Sequence, residues 1–242
     1  MPNIQDYVIW RGDLPLDRVP LCDVDALLLS YLSYMPYDNI VGDAFDGGIS
    51  LRDAAQKLLE VNEREKTPLA YNVKEDRKLL AALMESARFG NIRLVGYINR
   101  VDTKLEEQFS AVTYLLGEGH AFVAFRGTDN TVVGWKEDFN MAFETRVPSQ
   151  SRAVRYLERA ALLAEGRVYV GGHSKGGNLA AYAAAMCDQA THARIAAAFS
   201  HDGPGFTRET LSSPSWKESA GLIHKTVPRS SLIGMLFEQQ EE

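Results

Sequence analysis

The chain is poor in cysteine, without clustered histidines and without a long apolar run, and each absence removes a class of protein. Its two cysteines, Cys22 and Cys187, lie far apart with no C-x-x-C spacing and no clustered histidines, so neither a metal site nor a disulfide framework is indicated. Both are read as core thiols, the usual setting of free cysteine. No run reaches transmembrane length, and the N-terminal Met1-Pro-Asn-Ile-Gln-Asp6 stretch and its continuation carry charges where a signal peptide needs an apolar core. No integral membrane segment and a cytoplasmic location are therefore expected. A basic excess is absent too: the formal net charge of -6 at pH 7 argues against a nucleic-acid or anionic-membrane footprint. Neutral or hydrophobic small substrates stay open.

What is present is one strong local pattern. In Val168-Tyr-Val-Gly-Gly-His-Ser174-Lys-Gly-Gly-Asn-Leu-Ala-Ala-Tyr-Ala-Ala-Ala-Met186, a β-rich run meets a serine flanked by Gly172 and Gly176, and an alanine-rich helical run follows at once. This order predicts strand, sharp turn, helix, with the serine at a strained backbone position and its hydroxyl pointed out of the sheet. Gly172 and Gly176 answer the need for side chains to vanish where strand and helix pass closely. The helix N-terminus adds partial positive charge beside Ser174, which favours a developing anion. A bare G-x-S-x-G arises by chance in about one in ten chains this rich in glycine, so the strand and helix around it carry the weight.

Along the rest of the chain, 242 residues at 45% hydrophobic content are enough for one full core, and no repeat, low-complexity tract or interdomain linker divides them. Residues 1–20, with Pro15 and Pro20, are expected to be extended and to wrap over the domain. A helix from Asp23 presents Val24, Leu27, Leu28, Tyr31, Leu32 and Met35 on one face until Pro36, and amphipathic helices follow over 50–60 and 74–88. Strands are expected over 92–99, 109–116 and 121–125, linked as antiparallel neighbours, then a helix over 149–165, the strand into Ser174, its helix, and a strand over 195–200. The last three elements make a β-α-β crossover and hence a parallel sheet.

A serine that accepts an acyl group needs a base, an orienting acid and donors for the oxyanion. The N–H of Lys175 follows the serine, where one donor is required, and its side chain is expected to be solvated. The second donor should come from a loop after an earlier strand, and Phe125-Arg-Gly-Thr128-Asp is such a loop.

Here the sequence resembles a known group. Phe122-Val-Ala-Phe-Arg-Gly-Thr-Asp129, with Trp135 and Asp138 downstream, is similar to a signature of class 3 lipases within the α/β-hydrolase superfamily. A bacterial family of lipase-like proteins of unknown function resembles the chain further, at Tyr7-x-x-Trp-Arg-Gly-Asp13, Asp25-Ala through Tyr34, Gly172 through Ala180, Asp202-Gly-Pro-Gly-Phe206 and Val227-Pro-x-Ser-Ser-x-Ile-Gly234. The resemblance implies that the backbone and side chain of Thr128 supply the second oxyanion donor and that Arg126, Trp135 and Asp138 brace the loop. It also places the family's histidine in a Gln-His-Asp-like segment past the Ser-x-Ile-Gly stretch, a segment expected to be missing together with the family's C-terminal strand.

Other histidines are weighed for the base. His173 adjoins Ser174 and points away, His120 belongs at the far end of its strand, and His192 is expected in a surface loop. His201 and His224 are better placed, because His201 ends the strand after the serine's helix, at the carboxyl edge where sites form. His201 is the candidate base and Asp202 the candidate acid, against a turn-forming role in Asp-Gly-Pro-Gly; Glu238 is a remote third choice.

The expected fold is a single three-layer α/β-hydrolase domain over 1–242: a mixed sheet, antiparallel at first and parallel around Ser174, with helices on both faces. Residues 1–90 form a helical extension, lid or brace, and 91–242 the sheet core. Two functions stay open. One is a serine ester hydrolase acting on a lipid or other acyl ester through Ser174, with no cofactor. The other is a hydrolase-like binding or scaffold protein, or a truncated hydrolase without its histidine. Oligomeric state has no readable determinant.

Overall fold

A computed structural model of the chain describes residues 3–104, 107–128, 147–229 and 231. Seven strands form one sheet in the order β1-β2-β3-β4-β5-β6-β7: β1 (Ile49–Ser50), β2 (Arg93–Asp102), β3 (Glu107–Gly117), β4 (His120–Phe125), β5 (Val168–His173), β6 (Ile195–His201) and β7 (Ile223–Thr226). Pairings are antiparallel from β1 through β4 and parallel from β4 through β7. The switch of direction falls at β4, the strand that leads into Thr128. The mixed sheet matches the expected pattern, and β7 is an element the sequence reading did not contain.

Alternation along the strands divides the core in two. Ala121, Val123 and Phe125 join one cluster and Phe122 and Ala124 the other, as period-two side chains must. The first face is covered by α5 (Pro148–Ala161), α6 (Lys175–Met186) and the short α8 (Arg208–Ser212) and α9 (Pro214–Ser219); α7 (Gln189–His192) adjoins α5. Parallel strands laid down in sequence order, each joined by a right-handed crossover, put their helices on one side. The other face is left to α1 (Ile4–Arg11), α2 (Asp23–Leu32), α3 (Leu51–Glu65) and α4 (Val73–Glu85), with α2 packed on β4, β5 and β6. The N-terminal helices thus form the third layer of the sandwich.

Two local expectations are corrected. Residues 4–11 are helical rather than extended, because Asn3 accepts from the N–H groups of Gln5 and Asp6 while the Asp6 carboxylate accepts from Asn3 N–H at 2.8 Å. That reciprocal cap outweighs the prolines that follow it. In α2, Val24 and Leu27 face solvent, and Ala26, Leu29 and Ser30 are buried instead. The sheet is glycine-rich beneath this helix: a β-carbon at Gly171 would stand 3.0 Å from Ser30 Oγ, so small side chains have to face it.

Arg88 holds the N-terminal segment in place. Fully buried, it pairs with Asp25 through Nε at 2.9 Å and Nη2 at 2.5 Å, and it donates to the carbonyls of Leu14, Val19 and Pro20. One guanidinium thereby fixes residues 14–20 against α2. Cys187 is half-buried, and burial pushes its thiol up to about 12. Cys22 is exposed beside Tyr7, so it is not the core thiol expected.

Candidate functional site

The strand-to-helix turn at Ser174 has the predicted backbone. Ser174 adopts φ 56 and ψ -131, a region that L-residues avoid and that carries a cost of order 1–3 kcal/mol. Its N–H donates to the carbonyl of His201 at 2.9 Å, and its carbonyl accepts from Gly177 at 2.8 Å. The turn is therefore pinned to β6 on one side and to the first turn of α6 on the other. The glycines are sterically required: a β-carbon at Gly172 would lie 2.7 Å from the Phe125 carbonyl oxygen, and one at Gly176 would lie 2.9 Å from the Phe125 carbonyl carbon.

The loop after β4 reaches the same place. A β-carbon at Gly127 would stand 3.2 Å from Ser174 Cβ and 2.6 Å from the His173 carbonyl oxygen, so the Arg126-Gly-Thr128 backbone runs directly alongside the serine. The buried Arg126 donates to Asn99 Oδ1 at 3.0 Å, which ties this loop to β2. Trp135, Asp138, Asp129 and Glu238 lie outside the described residues, as do residues 232–234 of the C-terminal motif.

Lys175 departs from expectation. Its side chain is buried, with Nζ donating to the Gln108 carbonyl at 2.9 Å and to Gln108 Oε1 at 2.8 Å. The first residues of β3 present oxygens that replace the ammonium's water, so the cation is fixed inside the fold instead of being solvated.

The histidines are all placed, and each has another setting. His173 Nδ1 is 3.1 Å from the Tyr34 hydroxyl; burial lowers its pKa, partly offset by the charge of Asp202. His201 is in register with His173, stacks on Phe199 and holds Thr226 Oγ1 through Nδ1 at 2.8 Å. Burial and the neighbouring His173 push it down to about 4, so it is neutral at pH 7. Adjacent strand residues face opposite sides of a sheet. Ser200 Oγ meets Gly177 and Gly203 on the α6 side, so the His201 ring is on the α2 side. The structure brings the backbone of His201 to Ser174 and directs its imidazole elsewhere.

His120 Nδ1 accepts from Arg167 N–H at the far end of β4, His224 lies exposed against Phe199, and His192 ends the short α7 with Nε2 2.9 Å from Ser219 Oγ. Among the described residues, no imidazole hydrogen-bonds to Ser174. Asp202 follows β6 with φ 54, its N–H on the Thr226 carbonyl at 2.7 Å and its carboxylate accepting from the Ser231 hydroxyl. It occupies the same sheet edge as Ser174. No group of three or more His, Cys, Asp or Glu that could hold a metal ion occurs among the described residues, and no described helix is long and apolar enough to cross a membrane.

Sequence reasoning missed Tyr34. Its hydroxyl meets the Gly127 N–H at 3.1 Å, His173 Nδ1 at 3.1 Å and the His173 carbonyl at 3.2 Å. The residue appeared only as the end of a motif, and no local signal could join it to partners 93 and 139 positions away.

The fold is that of a lipase-like α/β-hydrolase relative. The crystal structure of M37 lipase is similar to the chain with a TM-score of 0.51 at 13% identity, covering 86% of this chain and 67% of that one, a likeness of fold. Residues 83–242 match the family model described as Mbeg1-like, and the chain belongs to that family. No curated protein matches it.

Proposed function

We propose that the chain is a serine ester hydrolase, acting on a lipid or other acyl ester through an acyl-enzyme on Ser174. The observation that carries this reading is the strained Ser174 at the head of α6 with the Gly127-Thr128 backbone against it. A carbonyl carbon over Ser174 would develop its negative oxygen between the N–H of Lys175 and the donors of Thr128. Each such donor contributes on the order of 10²–10³ in rate. Ser174 attacks as the base takes its proton, the carbonyl oxygen takes the electron pair, and collapse expels the alcohol, which receives that proton; water, deprotonated by the same base, then releases the acid and the proton returns to the serine.

Asp202, on the same edge, is the acid in this scheme. The base is a histidine, and His201 reaches Ser174 only by leaving Thr226 and crossing to the sheet edge. The placement of the five histidines favours the second reading, a hydrolase-like shell that binds an ester or lipid without turning it over.

Intact-mass labelling with a fluorophosphonate separates the two. One adduct on the folded chain, absent from Ser174→Ala, is expected for the hydrolase. A folded chain that takes no adduct leaves the binding reading.

A further inference from the structure

We infer that Tyr34 is a positioning residue of this site: its hydroxyl holds the Gly127-Thr128 backbone in register with Ser174. The inference rests on the hydrolase reading for its effect on rate, while its structural content stands independently. Two chain segments must keep a fixed separation if an oxyanion is to be met by donors from both, the turn bearing Ser174 and the loop after β4. They belong to neighbouring parallel strands, and the ladder between those strands has its last pair at Phe125 and Gly172. Beyond that pair the ladder no longer sets their spacing. Tyr34 bridges this gap.

The hydroxyl accepts from Gly127 N–H at 3.1 Å and reaches the His173 carbonyl at 3.2 Å and His173 Nδ1 at 3.1 Å. A phenol has one proton and two lone pairs, so one such group can serve a donor on the loop and an acceptor on the turn at the same time. Tyr34 is half-buried and burial pushes its ionisation well above the ordinary tyrosine range, so the hydroxyl keeps that proton at any working pH. Its ring lies edge-on to His173 at 5.9 Å and against Tyr71 at 5.0 Å, and the turn after α2 supplies its backbone. The bridge is thus built into the third layer, not into either loop.

The contact also explains a residue choice. A β-carbon at Gly127 would overlap the Tyr34 hydroxyl and crowd the His173 carbonyl at 2.6 Å. Glycine therefore lets the loop approach both the tyrosine and the serine. With the Gly127 N–H given to Tyr34, the loop's contribution to an oxyanion falls to Thr128.

The test compares Tyr34→Phe with Tyr37→Phe, which removes a hydroxyl from a buried tyrosine nearby. Turnover of p-nitrophenyl butyrate is followed together with hydrogen exchange at the Gly127 amide. Tyr34→Phe is expected to lower kcat about 10- to 100-fold, a fraction of what losing a donor outright removes, with KM unchanged. Exchange at Gly127 should rise at least about tenfold once its acceptor is gone. Tyr37→Phe should leave both within about twofold of wild type. Wild-type exchange at Gly127 in Tyr34→Phe, or wild-type kcat in an active background, overturns the inference. If the wild-type chain neither turns over ester nor takes a fluorophosphonate, the hydrolase reading falls, and the exchange measurement still decides whether Tyr34 holds the loop.

Discussion

The carbonyl carbon of Phe125 lies 2.9 Å from where a β-carbon of Gly176 would stand, with Arg126 C at 3.0 Å. The end of β4 and the first turn of α6 therefore touch backbone to backbone, where the loop after β4 begins. Neither partner is a flexible side-chain tip that could swing aside.

Gly176→Ala should accordingly destabilise the fold by about 3 kcal/mol or more, at the upper end of overpacking effects. Urea unfolding of the variant against wild type measures it. Gly47→Ala would not be a clean control, since Gly47 sits at φ 65; Gly42→Ala, with only one atom at 4.0 Å, is the suitable one.

Ser174→Gly should do the opposite. Glycine adopts φ 56 without penalty, so the variant is expected to gain about 1 kcal/mol, visible as a higher Tm, while losing any fluorophosphonate adduct. A lower Tm would show that Ser174 contributes contacts outweighing its strain.

Asp25→Ala should cost about 3–5 kcal/mol, because it leaves the Arg88 guanidinium buried without its counter-charge. Burial acts to raise the Asp25 pKa, but Arg88, the Cys22 N–H and the Tyr7 hydroxyl together hold it below the usual carboxylate value. The sign follows: this contribution is present above the unfolded aspartate pKa and is lost as pH falls through the depressed folded one. Limited proteolysis should first cut near residues 14–20 in the variant, where Arg88 anchors the backbone.

His201 predicts a second acid dependence at higher pH. Its folded pKa of about 4 lies below the ordinary 6.5, so the unfolded chain binds a proton in that window and the folded chain does not. Stability should fall as pH drops from 6.5 toward 4, by up to about 3 kcal/mol from this one group, and flatten below. His201→Gln cannot titrate and should show a shallower loss between pH 7 and 4. An unchanged slope would mean that the ring is hydrated in solution.

The turn at Ser174 and the change from antiparallel to parallel pairing were readable because each rests on local signals. Periodicity, glycine placement and helix composition all act within a few residues of one another. The ends of elements were less legible: the helix at residues 4–11 hung on a single reciprocal cap, and the buried face of α2 depended on the glycine of a strand more than a hundred residues later.

The sequence by itself determined that this chain makes a lipase-like sandwich with a serine at a strained strand-to-helix turn. Only the tertiary structure decided what surrounds that serine. Lys175 is buried because Gln108, 67 positions earlier, offers it two oxygens, and Tyr34 reaches Gly127 and His173 across 93 and 139 positions. His201 is turned from Ser174 because strand register places its ring on the α2 face. Such contacts form when the sheet closes and distant segments exchange water for each other, and a linear pattern carries no record of which oxygen will meet which proton.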